Sequence, residues 1–82
     1  MYANVRFLCP EYFSLIPNGT YEFPDGSTVQ ECVESCVAEF GVVLQDTWPE
    51  QVVLMKDNKP VGKNEKVTEG SNILIVRRVL GG

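Results

Sequence analysis

One segment of this 82-residue chain repeats at the period of a helix, with β-patterned runs on either side of it. Thr28-Val29-Gln30-Glu31 has the form of a capping box, in which the Thr28 hydroxyl takes an orphan amide of the first turn and Glu31 reaches back. Val29, Cys32, Val33, Cys36, Val37 and Phe40 then fall at spacings of three and four, along one apolar stripe. Gly41 supplies a left-handed stop. The spacing predicts a helix over Val29–Phe40. Its stripe has to be buried, and strands are the material the rest of the chain offers, so a two-layer α+β design is expected.

The strands are read from alternation. Ala3, Val5 and Phe7 share one face of a first strand over Ala3–Leu8, ended by Cys9-Pro10. Glu11 to Asn18 is a connector, and Pro17-Asn18-Gly19 is a turn. Thr20–Phe23 is a second short run, placed to form a hairpin with the first and closed by Pro24-Asp25-Gly26. Past the helix, Val42-Val43-Leu44 is either a short strand or a segment packed beneath the next loop, and Asp46 to Glu50 is irregular around Trp48-Pro49. Gln51–Lys56 is a third strand, Asp57-Asn58-Lys59-Pro60 its turn, and Val61-Gly62 a brief returning strand. Val67 anchors a loop that closes at Glu69-Gly70. In the last strand, Asn72–Val79, Ile73 and Ile75 share one face and Leu74 and Val76 the other; a strand apolar on both faces belongs in the middle of a sheet.

Size and charge narrow the function. A chain this short holds a single core, so residues 1–82 are read as one domain. The mean hydropathy of −0.05 and the lack of a long apolar run argue against a membrane partner. The start, Met1-Tyr2-Ala3-Asn4-Val5-Arg6, lacks a basic stretch leading into an apolar one, and a cytoplasmic location is the default expectation. The formal charge of −4, from 11 acidic and 7 basic residues, disfavours nucleic acid as a partner. From Glu22 to Glu50 there are seven acidic residues and no basic one, which makes either a solvated acidic face or a surface that steers a basic partner. With no histidine, triad chemistry and mixed cysteine–histidine zinc sites are excluded. Three cysteines are too few for a four-cysteine cluster. No catalytic residue and no bound cofactor or metal is expected, and carboxylates such as Glu65 and Glu69 show no acid–base pairing.

Cys32 and Cys36 lie on the apolar stripe and are read as buried core thiols; Cys9, at a strand end, is read as half-buried. Trp48 is expected to be a lid over one end of the core. Leu8, Leu74 and Val76 form a candidate partner patch on the sheet face away from the helix, unless Val42–Leu44 covers it. The remaining candidate is the run Arg77-Arg78-Val79-Leu80-Gly81-Gly82 after the central strand. Two glycines without Cβ atoms make the thinnest polypeptide segment, suited to threading a narrow channel. A flexible arm over about 79–82 would carry it.

In this order, the Val5-Arg6-Phe7 strand, the Pro24-Asp25-Gly26-Ser27-Thr28-Val29 lead-in to the helix, Val67-Thr68-Glu69-Gly70 and the Asn72–Gly82 ending resemble the MoaD/ThiS sulfur-carrier family. Bacterial carriers of that family often have prolines before the diglycine, where this chain has Arg77-Arg78-Val79-Leu80, closer to the tail of ubiquitin. The resemblance implies a ubiquitin-like β-grasp fold with a mixed four- to five-stranded sheet and one main helix across it. It also implies a carrier rather than an enzyme, or the small non-catalytic subunit of a molybdopterin-synthase-like complex. By that resemblance an adenylating enzyme of the MoeB/ThiF type uses ATP to activate the Gly82 carboxylate, with Gly81 giving access. A thiocarboxylate then forms and passes sulfur to a synthase of the MoaE or ThiG type, in molybdopterin, tungstopterin or thiamine-thiazole synthesis. Arg77, Arg78, Val79 and Leu80 would be the partner-binding tail, the arginines either a solvated strand end or a pair for acidic residues of the activating enzyme. Two other classes use the same features: a protein modifier conjugated through Gly82, and a β-grasp binding module whose tail is incidental.

Overall fold

The structure, a computed structural model, describes residues 1–78. Strand β1 (Tyr2–Leu8) leads into a one-turn helix α1 (Pro10–Phe13) and returns as β2 (Gly19–Glu22). The main helix α2 (Val29–Glu39) is followed by a loop, a 3₁₀ turn at Trp48–Gln51, and strands β3 (Val52–Lys56), β4 (Lys59–Val61) and β5 (Asn72–Arg77). The five strands form one mixed sheet in the order β2-β1-β5-β3-β4. β1 and β5 run parallel side by side in its middle, and the other pairings are antiparallel.

The helix forms as its sequence predicts, one residue shorter because Phe40 is its C-cap. The Glu31 amide donates to Thr28 Oγ1 at 3.2 Å and the Thr28 amide to Glu31 Oε1 at 2.9 Å, completing the capping box. The bond from the Thr28 backbone N–H holds the Glu31 carboxyl below its usual range. Gly41, at φ 67°, ends the helix in the left-handed region. The stripe of Val29, Cys32, Val33, Cys36 and Val37 packs into one cluster with the inner sheet face, including Val5, Val52, Leu54, Ile73 and Ile75.

Local differences from the sequence reading have simple causes. The connector contains α1, because Pro10 is pre-set for the first helical position and the amides of Tyr12 and Phe13 bond back to the Cys9 carbonyl. The irregular stretch before β3 is a 3₁₀ turn with Pro49 near its start. The turn between β3 and β4 is only Asp57-Asn58, both at positive φ (51° and 70°), as a two-residue type I′ hairpin requires; Lys59 and Pro60 are already strand. Asp57 also accepts from the Asn72 amide at 3.0 Å and so ties this hairpin to the start of β5. β5 stops at Arg77, short of the Val79 that alternation suggests; Val79 itself lies outside the described residues. Val42–Leu44 is not a strand: the Val42 amide bonds the Val37 carbonyl at 3.0 Å, which folds this segment against α2.

Removing the cap tests how far α2 depends on local chemistry. Thr28→Ala is expected to cost about 1 kcal/mol, since it orphans an amide at a helix start. Thermal unfolding followed by circular dichroism should fall by roughly 4–8 °C, the shift expected for a domain of this size.

Candidate functional site

β5 positions the candidate site. Its inward residues Ile73 and Ile75 are fully buried, and its neighbours on both sides hold it by ladder hydrogen bonds. Arg77 and Arg78 follow at the sheet margin, both exposed. The Arg77 guanidinium is ion-paired with Glu11 of α1, and Arg78 Nη2 donates to the Val52 carbonyl at 3.4 Å. Both arginines therefore have partners within the chain, which neither sequence alternative included. A surface pair of this kind is worth at most about 1 kcal/mol, so it sets direction more than stability. Val79, Leu80, Gly81 and Gly82, the rest of the expected tail, lie outside the described residues. Beside Arg78 a shallow groove of about 600 Å³ runs between the 3₁₀ turn and the β3–β4 hairpin, with Asp46, Glu50 and Lys63 among its walls.

The sheet face away from α2 carries the patch. Leu8 is 41% exposed and pairs with Val76 in the parallel ladder; Val76 and Leu74 are half-buried. Across β5, Val53 stands opposite Val76 and Met55 opposite Leu74, so the apolar strip continues onto β3. Val53 and Met55 were not singled out from sequence. Their signal is that Val52-Val53-Leu54-Met55 is apolar on both faces, like β5 itself. Val42–Leu44 lies on the helix side and leaves this face open. Arg6, across from Leu74, is exposed on the same face, whereas Arg77 alternates with Ile73 and Ile75 towards the helix side, where it meets Glu11, and Arg78 turns to the groove beside Asp46 and Glu50.

The other singled-out residues are structural. Trp48 is buried, meets Phe13 edge-on with ring centres 6.3 Å apart, and sends its Nε1–H to Glu34 at 3.4 Å. Cys9 is fully buried rather than half-buried, because α1 folds back directly after it; its thiol donates to Glu11 at 3.4 Å. Burial raises its pKa, with Arg77 opposing. Cys32 and Cys36 are buried in the core, and desolvation pushes their thiols up to about 11 and about 12. None of the three is a poised thiolate.

No protein-family model and no curated protein matches the sequence. The fold does have relatives among solved structures. The chain is similar to SAMP1 from Haloferax volcanii, at 11% identity and TM-score 0.71 with 100% of each chain covered. It is similar to another structure from H. volcanii, small archaeal modifier protein 1, at 9% identity and TM-score 0.72 over 95% of this chain and 98% of that one. A Pyrococcus furiosus protein assigned as molybdopterin converting factor, subunit 1, matches at 16% identity and TM-score 0.73, over 96% and 99% of the two chains. The fold is the ubiquitin-like β-grasp, as the sequence resemblance implied.

The buried thiols make a direct test. Native chain at pH 8 should resist iodoacetamide at Cys32 and Cys36, while denatured chain takes it at all three cysteines. Rapid native labelling of either helix thiol would contradict their placement. Because their folded pKa values lie above the ordinary 9.0, the neutral thiols contribute stability that is complete below pH 9. Urea midpoints should therefore decline as pH rises from about 9 towards 12.

Proposed function

We propose that this chain is a cytoplasmic sulfur carrier that works through a carboxylate at Gly82. The observation that carries the proposal is the placement of β5: the final described strand is the central, most buried one, it ends at Arg77, and in sequence Arg78-Val79-Leu80 lead on to the diglycine. A strand held on both sides gives whatever follows it a defined starting point relative to a docked partner. The similarity to an assigned molybdopterin converting factor subunit supports this reading over that of a plain binding module. In chemical terms, a partner of the MoeB/ThiF type joins the carboxylate to AMP, drawing on ATP and releasing pyrophosphate. A persulfide sulfur then displaces AMP to give an acyl disulfide, and a thiol of the partner attacks the donor's sulfur, forming a disulfide with it and releasing the thiocarboxylate. A synthase of the MoaE or ThiG type would accept that sulfur. The protein supplies the group and a docking surface, and its partners supply catalysis.

The open face is the proposed docking surface, with Leu8, Leu74 and Val76 extended by Val53 and Met55. Arg77, Arg78, Val79 and Leu80 would lead the arm into the partner's channel. Leu8→Glu changes an exposed position, so the fold should survive. It is expected to weaken binding to the activating enzyme by about tenfold or more, the scale of a central contact residue. Unchanged affinity would remove the open face from the proposal.

Intact-mass measurement after incubation with ATP, the activating enzyme and a persulfide donor should show one oxygen exchanged for sulfur, and deletion of Gly82 should abolish it. A mass that never departs from the carboxylate form would refute the carrier reading. The two similar structures described as SAMP1 and small archaeal modifier protein 1 favour a second reading, conjugation to proteins. Under it, denaturing gels of native cells would show higher-mass conjugates that vanish when Gly82 is removed.

A further inference from the structure

The helix layer has a surface feature that the carrier reading does not use. Two hollows, about 540 and about 400 Å³, meet along the segment Val43–Gln45 and over Trp48. Val37 and Trp48 form the floor and Val42, Val43 and Leu44 the wall; the second hollow continues to Tyr12, which is 40% exposed. Val43 is 93% exposed, more than any other large apolar residue in the described chain. Its position is fixed: the Val42–Val37 backbone bond and the left-handed Gly41 set the loop, and Val42 and Leu44 turn partly inward on either side.

The electrostatics of the groove have one sign. Glu34 and Asp46 are the charged residues lining it, and no basic residue occurs between Glu22 and Glu50. Among the described residues Glu34, Glu39, Asp46 and Glu50 have no ion-pair partner. The groove runs along α2 from Gln30 to Ala38, and the last turn of that helix contains Glu39 and no base. The negative end of the helix dipole therefore adds to the carboxylates instead of being offset by a cation. An apolar floor bordered by Glu34, which accepts from Gln30 and Trp48 but has no ion-pair partner, and by Asp46, which also borders the groove of Lys63 and Arg78, suits aliphatic anchors flanked by lysine or arginine.

We propose that this groove is a second docking surface, and that it takes a basic peptide segment with aliphatic anchors from a partner protein. It lies on the helix layer, and the Leu8–Leu74–Val76 strip lies on the other side of the sheet, so one occupant does not exclude the other. The proposal stands independently of the chemistry at Gly82.

The test is an NMR titration of the full isotope-labelled chain with a short synthetic Lys/Leu peptide and with its Glu/Leu counterpart. The expected result is shifts on the amides of Val37, Ala38 and Val42–Gln45 and on the Trp48 indole with the basic peptide alone. Val43→Glu, at an exposed position, and the charge-removing pair Glu34→Gln with Asp46→Asn should each weaken binding about tenfold. An unchanged spectrum outside the site would show that the variants fold. Shifts confined to Leu8, Val53, Leu74 and Val76, equal binding of the acidic peptide, or indifference to Val43→Glu would overturn the proposal. So would concentration-dependent self-association that Val43→Glu abolishes, because the occupant would then be a second copy of the chain.

Discussion

The parallel pairing of β1 with β5 is the contact on which the other layers depend. It joins the two strands most distant in sequence: the Asn4 side-chain amide donates to Asn72 across 68 residues at 3.1 Å, and the ladder continues to Leu8–Val76. Val5, Ile73 and Ile75, all fully buried, sit on the inner side of this pair. Truncating a core side chain of that kind to alanine typically costs 2–5 kcal/mol, a large part of the roughly 5–15 kcal/mol that holds a domain together. Closing such a non-local pair is entropically expensive, and it makes the last strand a requirement for the sheet rather than an addition to it. β5, the last described strand, thus lies in the most protected part of the sheet.

Much of this was legible in the sequence because it was locally encoded. The capping box, the stripe through Cys32 and Cys36, and Gly41 specify α2 with little tertiary help. The doubly apolar Ile73–Val76 marks β5 as central for the same reason: Ile73 and Ile75 are buried in the core, and Leu74 and Val76 are half-buried between β1 and β3. What escaped depended on contacts across the fold. α1 is a single turn, too short for any periodicity, and its start at Pro10 is its main signal. The burial of Cys9 follows from α1 and was missed with it. Arg77 and Glu11 are far apart in sequence, so their pairing becomes visible only once β1 and β5 are adjacent. Leu8, Leu74 and Val76 could be grouped by alternation, whereas Val53 and Met55 join them only through the β3–β5 register.

Charge is unevenly spread over the surface. Acidic residues concentrate on α2 and the loop after it, while Arg6 is exposed on the open side of the sheet, Arg77 pairs with Glu11 of α1 and Arg78 lies beside Asp46 and Glu50. In a chain with a net charge of −4, the helix layer is thus the more acidic of the two faces. At physiological salt, fields are screened over about 8 Å, so each face is sensed largely on its own by what approaches it.

That separation bears on how a small carrier would operate. A carrier of the kind proposed must leave one enzyme and reach the next, so its binding to each through the open face cannot be too tight. A second contact made from the helix layer would raise the effective concentration of the open face near a partner, and it would have to be weak itself to keep that exchange fast. The geometry permits this because β5 is held from both sides by β1 and β3, and nothing done to the exposed wall at Val43 disturbs that ladder. The Arg77–Glu11 pair has the opposite character. It links the end of β5 to α1, so a partner that competes for either residue would release that strand end from α1 while leaving the buried sheet intact.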